Sequence, residues 1–330
     1  MLALLAALAC ALHSATWFAE SPPVARRVAS LAVLLALLAV KAPAFFRAAN
    51  LRDLLVANAP VLVAAVGMTL VVLARQIDIS IGSQFAICAV VAGTLAKAGL
   101  AMPIAAAGAL ATGAALGALN GVLVAGLGLP AIVVTLATMV GLRETLRWVT
   151  EGVWVRDLPP GFQWMGLGQD TGRFAIPGLA LVVWAFAAWG LRHLAAGRAV
   201  YATGSDAEVA RLTGVRPRRV VFGVFVAMGA LTGLAALLSA IQFIDVQTGS
   251  GVGFELRVIA AVVVGGTSIA GGRGSLVGSL LGVLLLATAG PALTFLGSQA
   301  YWDRALQGVI ILAAVAADAF GSASRLRARS

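Results

Sequence analysis

Polar residues interrupt the apolar sequence at three places where they could do chemistry. The first is the segment Q-I-D-I-S-I-G-S at 76–83, in which isoleucines alternate with Asp78, Ser80 and Gly82. A period of two between apolar runs predicts a short extended or partly unwound segment before the next helix. Inside a membrane such a backbone must be covered by protein or water, which would make the segment a gate or pathway element. A solvated loop in which Asp78 or Ser80 caps the next helix fits the pattern equally well.

A second group of polar side chains lies inside apolar runs. Its members are Asn58, Gln84, Asn120, Thr135, Thr138, Glu144 and Arg147. Glu144 and Arg147 are three residues apart, so they share a helix face and can form a surface ion pair or part of a proton relay. The candidate pathway or gate residues are Asp78, Ser80, Ser83, Gln84, Asn120, Thr135 and Thr138.

The third polar segment, Y-A-T-G-S-D-A-E-V-A-R-L-T-G-V at 201–215, predicts a short helix between two apolar runs. Ser205 and Glu208 have the spacing of a capping box, and Gly214 offers a left-handed stop. A helix of about two turns is too short to be stable without a surface to dock on. That surface is either a partner or the rest of the chain. The residues of interest are Ser205, Asp206, Glu208, Val209, Arg211, Leu212 and Gly214.

The common kinds of catalytic machinery are missing from the sequence. There is no G-x-x-x-x-G-K-[ST] phosphate loop, so any ATP hydrolysis would belong to a partner. His13 and His193 do not suit a buried catalytic dyad, and G-G-R-G-S at 271–275 reads as a tight turn with no base nearby. Cys10 and Cys88 lie inside apolar runs, as small buried hydrophobes do. The sequence predicts no cofactor, no metal and no enzyme activity of its own.

The composition requires a membrane around these polar segments. Hydrophobic residues make up 61% of the chain and charged residues 11%, with a mean hydropathy of +1.01. This leaves too few charges to coat a water-soluble surface. Because spanning helices need about 20 apolar residues each, the chain has room for about ten. The predicted fold is an all-α polytopic membrane bundle.

The apolar runs give approximate positions for the spanning helices. The predicted spans are 28–46, 54–74, 81–97, 103–125, 130–149, 174–191, 220–240, 257–271, 275–297 and 303–320. Residues 1–25 include a further apolar run, Leu2 to Phe18, which is an extra span, a poor signal sequence or misassigned upstream sequence. Residues 26–330 are expected to form a single transmembrane domain.

The positive charges predict the orientation of the chain. The net charge of +10 comes from arginines between apolar runs, so it indicates membrane orientation and not nucleic-acid binding. Arginines concentrate in the 192–219 segment and the C-terminal tail, which are predicted to be cytoplasmic. The segment 151–173, with its tryptophans and prolines, is predicted to be external.

Two series of glycines predict close helix packing. Glycine recurs every fourth residue at 113, 117 and 121 and again at 274, 278 and 282. Each series leaves a stripe without side chains on one helix face, which lets another helix approach closely.

Four ordered segments together resemble a known family. They are I-D-I-S-I-G-S at 77–83, N-G-V-L-V at 120–124 with P-A-I-V-V-T-L-A-T-M at 130–139, the 201–215 segment, and V-V-V-G-G-T-S-I-A-G-G-R-G-S at 262–275. From about Phe46 to Phe320 the chain resembles the permeases of bacterial ABC importers for ribose, xylose, rhamnose and related sugars. Where the family usually has Asp-Leu-Ser, this chain has Asp78-Ile79-Ser80.

The resemblance implies a multi-pass protein of the bacterial inner membrane that moves a monosaccharide without altering it. It implies a second permease subunit, identical or different, a cytoplasmic ABC ATPase and a periplasmic sugar-binding protein, with membrane lipid around the spans and no nucleic acid. By the same resemblance, the helix at 205–214 rests in a cleft of the ATPase. The alternatives are a branched-chain amino-acid ABC permease and an ion-coupled secondary transporter, although the latter usually carries charged residues deep in its spans.

Overall fold

The computed structural model describes residues 23–295, together with 308, 309 and 312, and this part of the chain is helical. Its eleven α-helices are α1 Pro23–Lys41, α2 Ala48–Leu73, α3 Ile81–Lys97, α4 Met102–Gly121, α5 Ala131–Thr150, α6 Gln169–His193, α7 Ala195–Ser205, α8 Ala207–Leu212, α9 Pro217–Ala240, α10 Phe254–Val264 and α11 Leu276–Phe295. A π-helical segment, Val122–Gly126, extends α4, and short 3₁₀ helices lie at Pro43–Phe46 and Gln163–Gly166.

Four of the described helices are long and apolar enough to cross a membrane. They are Ala48–Leu73, Met102–Gly126, Gln169–His193 and Pro217–Ala240. Shorter apolar helices lie at Leu31–Lys41, Ile81–Lys97 and Leu276–Ala292. The all-α multi-pass prediction is therefore confirmed in its class, while the count of about ten spans remains a prediction. The predicted runs 2–18 and 303–320 fall outside the described residues, apart from 308, 309 and 312.

Helix α2 forms the centre of the bundle. In its most apolar window 78% of the residues are buried, and α6, α9, α10 and α11 all pack on it. Helix α4 packs most extensively on α9, and α3 lies against both. An apolar helix surrounded in this way needs no polar face, which is why hydropathy alone located it.

Glycines bring α4 and α9 into backbone contact, as the glycine spacing predicted. A Cβ on Gly113 would overlap the carbonyl oxygen of Gly229, and one on Gly117 would overlap that of Phe225. The second series behaves similarly, because a Cβ on Gly282 would overlap the carbonyl oxygen of Ala261. Without a hydrophobic driving force between helices in lipid, such close approach is a main source of association.

Two predictions of element boundaries are wrong. The span predicted at 257–271 is a shorter helix that ends at Val264, because Gly266, Gly271 and Gly272 adopt positive φ angles of 76°, 83° and 67° and turn the chain. The segment 192–219, predicted to contain one short helix, contains both α7 and α8. Hydropathy does not separate an apolar turn from an apolar helix, so these boundaries required backbone geometry.

Candidate functional site

The segment between α2 and α3 carries buried polar side chains, although Arg75 is exposed and the residues on either side of Asp78 are partly exposed. Arg75, with φ of 62°, ends α2, and the chain then runs without helix to Ser80. Asp78 and Ser80 are both fully buried. One carboxylate oxygen of Asp78 accepts hydrogen bonds from the Ser80 backbone N–H at 2.9 Å and from its hydroxyl at 2.5 Å. Ser80 is the N-cap residue of α3, but its hydroxyl makes no capping bond because it is used here.

Two amides complete a four-residue cluster around the Ser80 hydroxyl. Gln84 Nε2 donates to Ser80 Oγ at 2.7 Å and to the second Asp78 oxygen at 3.3 Å. Asn120 Nδ2, from the end of α4, donates to Ser80 Oγ at 2.8 Å. The amide oxygens of Gln84 and Asn120 are buried and have no hydrogen-bond partner among the described residues. The polar cluster therefore joins α3 to α4 and keeps two unused acceptors.

The remaining pathway candidates connect this cluster to α5, with one exception. Ser83 Oγ donates to the Met139 carbonyl at 2.7 Å. Thr135 Oγ1 donates to its own helix at Ala131 and, at 3.4 Å, reaches the carbonyl of Ile77. Thr138 bonds only within α5, to Val134 at 3.0 Å and Thr135 at 3.3 Å, and is not part of the junction.

Helix α8 is capped by Asp206 and not by Ser205, so the predicted capping box is wrong. Asp206 has an extended backbone, and its carboxylate accepts from the N–H groups of Glu208 at 2.9 Å and Val209 at 3.0 Å. Ser205 is the last residue of α7. Aspartate is at least as strong an N-cap as serine, and here it stands one residue closer to the helix.

The faces of α8 are arranged so that its large apolar side chains lie away from the described protein. Ala210 is 3% exposed and rests on the bundle, whereas Val209 is 55% and Leu212 78% exposed. Glu208 and Arg211 pair with each other at 2.5 Å on the exposed surface. The predicted stop at Gly214 is confirmed by its φ of 86°.

Helix α7, which sequence reasoning missed, ties α8 to the bundle. Gly204 lies so close to Leu73 that a Cβ would overlap the Leu73 carbonyl oxygen, to which Gly272 N–H also donates at 2.9 Å. The Tyr201 hydroxyl donates to the carbonyl of Gly274 at 2.9 Å, and partial burial raises the pKa of this phenol. In the sequence, the only sign of this contact was the glycine at 204. A local pattern does not show that a glycine packs against a distant backbone.

A partly buried ion pair between Arg143 of α5 and Glu255 of α10 was also missed. Arg143 Nη2 lies 3.8 Å from Glu255 Oε1, and their side chains are 28% and 10% exposed. By contrast, the predicted pair of Glu144 with Arg147, at 3.2 Å, is on the exposed face of α5 and joins nothing else. Within the described ranges, no three His, Cys, Asp or Glu side chains come together as a metal site requires.

Comparison with known proteins places the chain in a class. Residues 50–315 match the family described as branched-chain amino acid transport system / permease component. The chain belongs to this permease family, and the identification as an importer permease made from the sequence is confirmed.

Two of the similar proteins are permeases of named import systems. Over 254 residues, the chain is 38% identical to the autoinducer 2 import system permease protein LsrC of Escherichia coli (strain K12 / DH10B), covering 77% of this chain and 74% of that protein. Over 296 residues, it is 36% identical to the ribose import permease protein RbsC of Escherichia coli (strain K12), covering 88% and 91%. No solved structure matches the chain.

Proposed function

We propose that this chain is the permease subunit of an ATP-driven importer that carries a monosaccharide or a similar polyhydroxylated molecule across the bacterial inner membrane. The observation that carries this is the similarity to the ribose permease over almost the full length of both chains. The buried polar cluster supports it, since hydroxyl-rich solutes need hydrogen-bonding groups inside an apolar bundle.

The pathway is proposed to pass along the Asp78 segment. The unused amide oxygens of Gln84 and Asn120 could accept hydrogen bonds from a sugar hydroxyl once the neighbouring helices separate. Ser83 and Thr135 tie the segment to α5, so a displacement of α5 would change the lining directly. Thr138 is retained as a candidate by its position on the same helix.

The partners are proposed from the family: a second permease subunit, a cytoplasmic ABC ATPase and a periplasmic sugar-binding protein. Helix α8 offers the ATPase the apolar side chains of Val209 and Leu212, which are exposed beside the ionic pair of Glu208 and Arg211. ATPase closure would then reach the bundle through the contact of Gly204 with Leu73. Alternating access follows if ATP binding favours one of two packings of the subunits.

The test is uptake by vesicles that contain the permease, its ATPase and its binding protein, measured with a panel of radiolabelled pentoses, deoxyhexoses and branched-chain amino acids. ATP-dependent uptake of a sugar is the expected result, with none by the permease alone. Uptake of an amino acid without any sugar would establish the other activity that the family description names. ATP-dependent uptake by the permease without an ATPase would overturn the subunit assignment.

A further inference from the structure

The Arg143–Glu255 pair has the least exposed side chains of the ion pairs found among the described residues. Arg143 lies near the middle of α5, and Glu255 lies in the first turn of α10. The two helices make little other contact, because α5 packs mainly on α3. The pair therefore joins two elements that apolar packing does not join.

The pair is held together without a full set of hydrogen bonds. The 3.8 Å separation of Arg143 Nη2 and Glu255 Oε1 is too long for a hydrogen bond. Arg143 Nη2 and Glu255 Oε2 are buried and have no hydrogen-bond partner within the described part of the chain. Buried charges in proteins normally have such partners, so both groups have capacity for another molecule.

The surroundings of Glu255 are shaped for its carboxylate. A Cβ on Gly82 would overlap the carboxylate and the Gly251 carbonyl oxygen, so only glycine leaves room there. Gly82 belongs to the same first turn of α3 as Ser83, next to the polar cluster around Ser80. The ion pair thus lies against the same first turn of α3 that follows the polar cluster.

Helix α5 has few buried residues and glycines near both ends, which would let it move relative to this region. More than half of its residues are exposed, and the buried ones are Ala131, Val134, Thr135 and Leu146. Left-handed glycines stand near both ends, Gly128 with φ of 74° and Gly152 with φ of 72°. Glycines of this kind can absorb the backbone rotation that a hinge requires.

We propose that the Arg143–Glu255 pair is a substrate-opened latch. The pair holds α5 against α10 until sugar hydroxyl groups bind to both side chains, so that Arg143 and Glu255 no longer pair with each other. The proposal rests on the proposed function, because it requires a polyhydroxylated substrate. A hydroxyl group donates to a carboxylate and accepts from a guanidinium, so one diol satisfies both groups. Opening without substrate leaves the Glu255 carboxylate, which is only 10% exposed, without its charged partner, and this is unfavourable.

The experiment uses the full complex in lipid vesicles and measures ATP hydrolysis with and without sugar-loaded binding protein, with D-ribose as the first probe. Arg143→Gln and Glu255→Gln each break the latch. We expect hydrolysis without sugar to rise, and the stimulation by sugar to fall by about fivefold or more, the scale of a typical coupling between sites.

A matched control lies on the same helix. Glu144→Gln and Arg147→Gln each break an exposed ion pair on α5. Glu144 follows Arg143 directly, and Arg147 lies four residues after it. They should leave the stimulation unchanged, because surface pairs contribute little. The double variant Arg143→Gln with Glu255→Gln leaves no unpaired charge, so it should be expressed even if the single variants fold poorly.

The outcomes separate the two proposals. Sugar stimulation in the double variant equal to that of the unmodified complex would overturn the latch and leave the proposed function intact. An unmodified complex that responds to no sugar in the panel would overturn the proposed function, and the latch with it. Loss of stimulation in the double variant, with both control variants normal, is the result expected.

Discussion

At the residue scale, the buried carboxylate of Asp78 organises the polar cluster. It accepts three hydrogen bonds, from two groups of Ser80 and from Gln84, and is fully buried. Removing the carboxylate would take a hydrogen-bond acceptor from all three of these donors at once. A position of this kind affects folding and transport at once, so its test needs variants that differ in polarity at nearly constant size.

Replacing Asp78 with Ala should lower the stability of the permease by about 1–3 kcal/mol for each buried donor left unpaired. Asp78→Asn keeps one acceptor oxygen for the Ser80 groups. Rotation of the Gln84 amide would let its oxygen accept a hydrogen bond from the new side-chain amide, so this variant should lose less stability than Asp78→Ala. Thermal unfolding in detergent would measure both effects.

Asp157→Asn serves as the surface control, since Asp157 is 90% exposed and asparagine tolerates its left-handed backbone, with φ of 58°. Its melting temperature should match that of the unmodified protein. An Asp78→Ala protein as stable as this control would contradict the role assigned to the carboxylate.

At the element scale, α8 has its apolar side chains where a partner could cover them. Leu212 is 78% exposed, so Leu212→Asp should leave folding and membrane expression unchanged. If the ATPase covers this side chain, the unpaired carboxylate must be desolvated there, which costs several kcal/mol. We expect the ATPase to be lost on co-purification and uptake to stop, whereas Leu212→Ala should weaken both only partly. Normal uptake by the Asp variant would rule out docking through this face.

The junction of α7 with α2 gives a separate prediction. Gly204→Ala places a methyl group against the Leu73 carbonyl, which is backbone and cannot rotate away. Relief requires a shift of α7 relative to α2, with a cost of about 1–3 kcal/mol as for overpacking. The ATPase should still bind and hydrolyse ATP, but the sugar moved for each ATP should fall.

The control for this junction is Gly223→Ala, because Gly223 lies in α9 with no atom near its missing Cβ. Alanine there should be neutral or slightly stabilising, since glycine is the weaker helix former. Equal transport per ATP in the two variants would contradict the coupling role of Gly204.

At the scale of the whole molecule, the orientation is predicted from arginine placement. Arg198 lies in the segment predicted to be cytoplasmic, and Asp157 lies in the one predicted to be external. In a background without Cys10 and Cys88, a cysteine at 157 should react with an impermeant reagent in intact cells, and a cysteine at 198 should react only after lysis. The opposite pattern would reverse the topology.

The sequence predicted the features that depend on local pattern. Helix α3 begins and ends at the residues expected from hydropathy, and the glycine spacing identified the face on which α4 meets α9. The structure also brings the pathway candidates other than Thr138 together, while their role in transport stays a prediction. Each of these features depends on the spacing of apolar, polar or glycine residues within a few positions, and such local spacing is what a single sequence shows directly.

The features that were missed depend on distant parts of the chain. Arg143 stands beside Glu144, so a local pairing on the helix surface was the simpler interpretation, and nothing near Glu255 in the sequence points to Arg143. The contact of Gly204 with Leu73 likewise joins backbones far apart in sequence. Pairings of this kind are decided by tertiary packing, which a single sequence does not report.

The charges of α5 have a consequence for how the protein is made. Helix α5 is not among the helices apolar enough to span a membrane by themselves, and an arginine at a helix centre adds about 2.5–3.5 kcal/mol to the cost of insertion. Its partner Glu255 is synthesised only after four further helices, α6 to α9. Until then we expect the newly made α5 to pack on α3 and α4 or to lie at the lipid headgroups, and to reach its final position only after α10 has been synthesised.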